Sequence, residues 1–403
     1  MVEYDPYSDE VQHNPYPFYR RLRDEAPVYH NEQYDFYVLS RYDDVLATLI
    51  DFEHFTTTQG VSLERAEVGQ DLLILKDPPE HTWYRKAMAR MFTPRTISEL
   101  EGFIRTVCVE LLDDLQRGLR DGDATGFDVT ADFALKLPLY VIAELIGLPD
   151  DYRVRARQLS ELTARRDPSP EIMAQTIEHM TTFREYLIGV TAERRQHLGD
   201  DIVSTLITKP VIDGDGNEHY LSDDEISYFF FELTFAGHET TAKSITNAMV
   251  ALSWYPDQRR ELASDRALVP NAVEEFLRWD TVSHYLTRTP LEDAEIRGVR
   301  IPAGRPIACM IASANHDERQ YEEPELLDIH RKIERGISFG FGPHVCIGAA
   351  LARIEMRIAF EEFLTRFPDF HIGDERAIAR APSAQIRGLT HLPLEIEQSP
   401  AAV

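Results

Sequence analysis

The chain has 403 residues, of which 43% are apolar, enough for an extensive core, and its 69 acidic against 42 basic side chains give a formal charge of −27. That balance argues against general affinity for nucleic acid or anionic membrane, and no run of about 18 apolar residues is present to cross a bilayer. With no linker, repeat or low-complexity segment, residues 1–403 read as one domain. The first thirty, with Asp5, Asp9, Glu10, Arg20, Arg21 and Arg23, lack a signal-peptide apolar stretch, so a cytoplasmic location is expected.

Tyr16 to Arg23 suits a short helix ending before Pro27, and Val28 to Ser40 alternates like a hairpin turning at Asn31-Glu32. A helix over Arg41 to Leu49 follows, then Thr56 to Leu75 without clear period, a loop. Pro78 and Pro79 suit a helix start, after which His81 and Arg85 fall at i and i+4 on one face. Two donors so placed can grip two carboxylates or a phosphate, although bare His/Arg pairs are more often solvated surface. Gly102 to Arg120, Ala131 to Ile146 and Ser169 to Leu198 read as amphipathic helices. Asp213-Gly214-Asp215-Gly216-Asn217 looks like a calcium loop, but Glu218 stands where that loop needs Gly and Asp224 where it needs Glu, so a hairpin is expected.

Ser222-Asp223-Asp224-Glu225 is a capping box opening the longest helical stretch, which runs to about Trp254. Its middle, Phe235-Ala236-Gly237-His238-Glu239-Thr240-Thr241, breaks helix rules, with Gly alone costing about 1 kcal/mol relative to Ala. Such local conflicts mark function, and a threonine hydroxyl there can bond the i−4 carbonyl. Pro270 to Arg278 is a further helix with Glu275 and Arg278 at i and i+3, and Val282 to Met310 is β-rich with turns at Arg297-Gly298 and Pro302-Ala303-Gly304. Finally, Phe339-Gly340-Phe341-Gly342-Pro343-His344-Val345-Cys346-Ile347-Gly348 places a thiol at a loop-to-helix junction. A helix N-terminus favours its thiolate, leaving nucleophile, redox thiol or metal ligand open. Cys108 and Cys309 sit in apolar surroundings and read as core.

Phe339-x-x-Gly342-x-His344-x-Cys346-x-Gly348 resembles the cysteine-ligand loop of the cytochrome P-450 family, and Ala236-Gly237-x-Glu239-Thr240 resembles its distal-helix pattern. The order His81-x-x-x-Arg85, Glu239-Thr240, Glu275-x-x-Arg278, Arg288 and Cys346 extends the likeness from about Tyr16 to Glu395. The resemblance implies a mainly helical fold with a small β region (about 28–40 and 282–310) and haem b between the long helix and the helix after the cysteine. Cys346 would be the axial iron ligand, with Phe339 near the sulfur and Gly342 and Gly348 letting backbone approach the porphyrin. His81, Arg85, Arg288 and His344 would reach propionates, His344 standing where arginine is usual, so that its charge depends on pH. Ala236 and Gly237 would make room for dioxygen, and Glu239 and Thr240 would relay protons to it.

The activity so implied is a haem-thiolate monooxygenase inserting one oxygen atom from O2 into a C–H bond of an apolar organic substrate: steroid, terpenoid, fatty acid or secondary metabolite. Phe229, Phe230, Leu233, His284, Tyr285, Leu286 and Leu389 are the expected pocket residues, and residues 56–75 the expected roof. Two basic islands, Arg85, Lys86, Arg90 and Arg95, then Arg331, Lys332, Arg335, Arg353 and Arg357, would face an acidic ferredoxin or flavodoxin. Two alternatives keep the haem. One is a peroxide-driven peroxygenase, against which the acid–alcohol pair counts; the other is a non-enzymatic ligand sensor, which gives that pair no purpose.

Overall fold

The long helix runs from Asp223 to Trp254 in the computed structural model, which describes residues 2–63, 72–122, 124–148, 170–199 and 201–397. Both halves of its capping box form: Ser222 accepts the Glu225 N–H, and the Glu225 carboxylate accepts the Ser222 N–H. Asp223, Asp224 and Glu225 complement the positive end of the helix dipole. The helix stops at Tyr255, which leaves the helical region (φ −117°, ψ 66°) ahead of Pro256. None of the helices among the described residues is long and apolar enough to cross a membrane.

Around it pack helices Lys136–Ile146, Pro170–Gln196, Val269–Trp279 and Ala349–Arg366, with Pro94–Asp121 on the far side of the first and last, so the architecture is mainly α. Helix Ala349–Arg366 begins three residues after Cys346 and stops at Phe367, before Pro368. Its Phe360 and Phe363 meet Phe276 and Phe370 in the interior, with ring centroids 5.1 and 5.6 Å apart. Helix Lys136–Ile146 is buried almost all round rather than amphipathic, because it is sandwiched between the long helix and Pro94–Asp121. Ser169 of the expected Ser169–Leu198 helix and residues 64–71 of the expected 56–75 loop lie outside the described residues; Leu73–Leu75 forms one 3-10 turn.

The two β-rich stretches, far apart in sequence, make one five-stranded sheet. Its order is Val28–Asn31, Phe36–Leu39, Ile307–Cys309, Leu286–Pro290, Phe55–Thr56. Ile307 pairs with both Tyr37 and Arg288, which brings Arg288 to the sheet's interior. The expected hairpin at 211–221 forms, Val211–Ile212 pairing Glu218–His219. Asp213 there accepts the Asp215 and Asn217 amides, so its carboxylate caps a turn and serves no calcium loop.

Beneath the cysteine segment lies a buried ionic cluster. Arg278 donates twice to the Glu275 carboxylate, at 2.7 and 2.8 Å, and to the Asn315 and Pro324 carbonyls, at 2.8 and 2.9 Å. Glu275 Oε1 also accepts from Arg331 Nε at 3.2 Å and from the Asp328 N–H at 3.0 Å. Glu275 and Arg278 are buried at 0% and 1% exposure, unlike the solvated i,i+3 pair their spacing alone suggests.

Candidate active site

Gly340 and Gly342 adopt φ of +70° and +75°, where an L side chain is strained. The segment thereby folds back on itself: the Val345 N–H reaches the Gly342 carbonyl at 3.1 Å and the Cys346 N–H the Phe339 carbonyl at 2.9 Å. This turn leaves Cys346 exposed while Cys108 and Cys309 are buried. Burial pushes the Cys309 thiol up to about 12, which fits an inert core residue. For Cys346 the desolvation of its sulfur within the loop also raises the thiol, against the lowering effects of the Gly348 amide and the Arg85 and Arg353 charges. The helix N-terminus alone therefore does not deliver the expected thiolate; a metal cation on the sulfur would.

A Cβ on Gly342 would lie 2.8 Å from the Leu49 carbonyl oxygen and 3.0 Å from Ile50 Cα, so this glycine seats the loop on helix Tyr42–Ile50. A Cβ on Gly348 would make ordinary contact with Phe92 and, at 4.0 Å, with Cys346 Sγ, placing Gly348 beside the sulfur. Phe339 packs with the guanidinium of Arg353 4.6 Å from its ring.

Four donors converge near the cysteine. His81, on helix Glu80–Met88, lies against His344 with ring centroids 4.1 Å apart. One turn on, Arg85 reaches the Val345 carbonyl at 2.5 Å, and Arg288 donates to the Thr287 carbonyl at 2.9 Å. Among the described residues, His81 Nδ1 and Arg288 Nη2 are buried without a partner. Burial, reinforced by the neighbouring guanidiniums, lowers His81 to about 4 and His344 to about 2, so both rings are neutral at pH 7 until a carboxylate is brought beside them. Asp77, the opposing charge near His81, has its carboxylate engaged by the Thr56 and Thr57 hydroxyls and the Thr57 N–H. Two imidazoles and two guanidiniums with donors to spare form a cradle for the carboxylates of a ligand.

On the long helix, Thr240 Oγ1 donates to the Ala236 carbonyl at 2.5 Å, the i−4 bond expected of it, and the helix stays unbroken. Ala236 is exposed. A Cβ on Gly237 would come within 2.8 Å of Ile142 Cδ1, so the glycine lets helix Lys136–Ile146 pack close. Glu239 Oε1 is held by Lys243 Nζ at 2.5 Å, with the lysine side chain only 4% exposed. The lysine stem lies over Gly388, where any Cβ would sit 2.2–2.5 Å from its carbons.

The family model for cytochrome P450 matches residues 155–383. Putative cytochrome P450 123 of Mycobacterium tuberculosis is 36% identical over 404 residues, covering 98% of this chain and 96% of that protein. The chain belongs to the cytochrome P450 family. This P450 is also 35% identical over 404 residues to vitamin D(3) 25-hydroxylase of Pseudonocardia autotrophica, across 97% of its own length and 96% of the relative's. Its fold matches the solved structure of the bacillaene polyketide synthase cytochrome P450 PksS of Bacillus subtilis with a TM-score of 0.88 at 32% identity, covering 98% and 100% of the two chains. As a cytochrome P450 it is a haem monooxygenase with haem b as cofactor.

The expected substrate residues of this P450 mostly lie elsewhere. A side chain lining a cavity wide enough for an organic substrate keeps accessible surface, yet Phe229, Phe230 and Leu233 are at 2%, 0% and 5%, packed into the helical core, and Leu389 at 2% lies in the same core. His284 is buried against Tyr19, whose hydroxyl is 2.8 Å from its Nδ1, and Tyr285 belongs to the same N-terminal cluster. Only Leu286 is half-buried and close to the cysteine loop, 3.5 Å from where a Gly340 Cβ would be. The basic islands are also partly neutralised, since Arg95, Arg331, Arg353 and Arg357 pair with Glu99, Glu275, Glu274 and Glu101; Lys86, Lys332 and Arg335 stay exposed.

Sequence reasoning missed three residues. Lys243 is the one lysine or arginine of helix Asp223–Trp254, four residues after Glu239, a spacing that could have flagged it. Glu232 likewise interrupts Phe229-Phe230-Phe231 and Leu233. Gln385 gave no signal; its amide ties Val61, at 2.7 Å, to the C-terminal tail, while the Thr287 N–H holds Val61 from the sheet side at 3.0 Å.

Proposed function

We propose that this P450 inserts one atom of dioxygen into a C–H bond of an apolar organic substrate, with Cys346 the axial ligand of its haem. The observation that carries the proposal is the exposed Cys346 beside a cradle whose buried donors, His81 Nδ1 and Arg288 Nη2, lack a partner among the described residues. When bound, the thiolate-ligated iron activates dioxygen with electrons delivered singly. His81, Arg85, Arg288 and His344 hold the propionates, and Gly348 and Phe339 flank the sulfur. Replacing Arg288 by Leu removes a charge-assisted donor worth about 1.5–3 kcal/mol, so haem should dissociate roughly 10- to 100-fold faster, read by transfer to an acceptor apoprotein. An unchanged rate speaks against a propionate contact there.

Protons reach the site through Glu239 and Thr240. In the resting arrangement Thr240 bonds Ala236 and Glu239 bonds Lys243, so each must turn to join a relay. A hydroxyl backed by a carboxylate passes protons inward without admitting bulk water. Thr240→Ala should therefore keep consuming reductant while releasing hydrogen peroxide, with product per reductant falling about 10-fold or more. Unchanged coupling excludes Thr240 from the relay. The names of the two relatives, a vitamin D(3) hydroxylase and a polyketide-pathway P450, support a bulky apolar substrate. Exposed Lys86, Lys332 and Arg335 support docking of an acidic ferredoxin or flavodoxin.

A further inference from the structure

On the buried long helix, Glu232, Phe235, Ala236, Glu239 and Thr240 keep accessible surface, at relative positions 0, 3, 4, 7 and 8. That spacing is a single face. Glu232 is thus one turn, about 6 Å along the axis, from Ala236, on the face where the proposed oxygen chemistry takes place. Its Oε2 accepts the Leu73 N–H at 2.9 Å and its Oε1 the Ile74 N–H at 3.0 Å. Among the described residues no cation pairs with it. Its neighbours along the chain are Phe231 and Leu233. Burial raises its pKa against the pull of the two amides, the mark of a carboxylate short of positive charge. Two backbone amides fix the group's orientation yet leave a lone pair on each oxygen.

We propose that Glu232 is a specificity-determining residue and that the substrate is an apolar molecule carrying a cationic nitrogen, bound by this carboxylate about one helical turn from the carbon to be oxidised. A cation in this setting recovers the Coulomb interaction that the protein does not supply, whereas a carboxylate-bearing substrate meets like-charge repulsion. This rests on the oxygen chemistry lying at Ala236 to Thr240, and it adds a polar requirement to the apolar substrate above.

The test uses holoenzyme and three probes of equal chain length: decyltrimethylammonium, decanol and decanoate. The quaternary nitrogen has no lone pair and cannot ligate iron. Binding is read by the spin-state shift and independently by calorimetry, which needs no oxygen chemistry. We expect the ammonium to bind at least about 10-fold tighter than the alcohol, and the decanoate weakest. In E232Q the preference for the cation should vanish with decanol affinity held within about twofold, and E232D, which keeps the charge, should restore it. Absence of the preference in the wild-type protein, or an equal weakening of ammonium and alcohol in E232Q, overturns the proposal and leaves Glu232 as a latch for Leu73 and Ile74. Failure of the proposed function itself shows elsewhere, as no oxygenated product from holoenzyme given reductant and dioxygen, while calorimetric discrimination by Glu232 stands apart from it.

Discussion

Cys346→Ala protein reconstituted with haem is expected to lose the red-shifted ferrous carbonyl band of thiolate ligation altogether. The other two cysteines cannot substitute, because Cys108 and Cys309 are buried in the core and burial raises both thiols. His344, two residues from the sulfur, packs against His81 and faces Thr57, so an imidazole is not poised to replace it. The fold should survive, since the loop is held by backbone bonds among Phe339, Gly342, Val345 and Cys346 that an alanine keeps. Absorbance of the reduced, carbon monoxide-treated variant decides the matter. Persistence of the red-shifted band would remove Cys346 as the ligand.

Glu275→Ala is expected to destabilise the protein by about 3–5 kcal/mol, more than the loss of any other single member of the ionic cluster beneath the cysteine segment. The substitution leaves Arg278 buried at 1% exposure with its charge uncompensated, and it also strips a partner from Arg331 and the Asp328 amide. Arg278 keeps its carbonyl partners at Asn315 and Pro324, so its position persists while its counter-charge is gone. The urea midpoint of the apoprotein gives the measurement, free of any contribution from haem binding. A loss below about 1 kcal/mol would mean that water reaches Arg278 and that the cluster behaves as a surface pair.

Much of the site was legible because its signals are local. The capping box at Ser222 to Glu225, the turn glycines Gly340 and Gly342, and the i,i+4 placement of His81 and Arg85 each depend on a few consecutive residues, and the structure places each element where the spacing put it. The purpose of individual glycines was not legible. Gly237 admits Ile142, Gly342 meets Leu49 and Gly388 covers Lys243, partners 95, 293 and 145 positions away, found only by folding. The substrate residues failed for a related reason. Periodicity says that Phe229, Phe230 and Leu233 share an apolar character but not which neighbouring element covers them, and His284 and Tyr285 turn toward the N-terminal segment because Tyr19 is there to receive them.

By itself the order of residues determined the family, the mainly helical class, the thiol at a loop-to-helix junction and the acid–alcohol pair, since these depend on short-range backbone preference and on spacing along one helix. Only the tertiary structure decided which charges are answered. Glu275 meets Arg278 and Arg331, Glu239 is held by a buried Lys243, and among the described residues His81 and Arg288 keep donors without partners while Glu232 has amides but no cation. Burial sets the strength of each of these interactions, and burial is a property of packed neighbours brought together from distant parts of the chain.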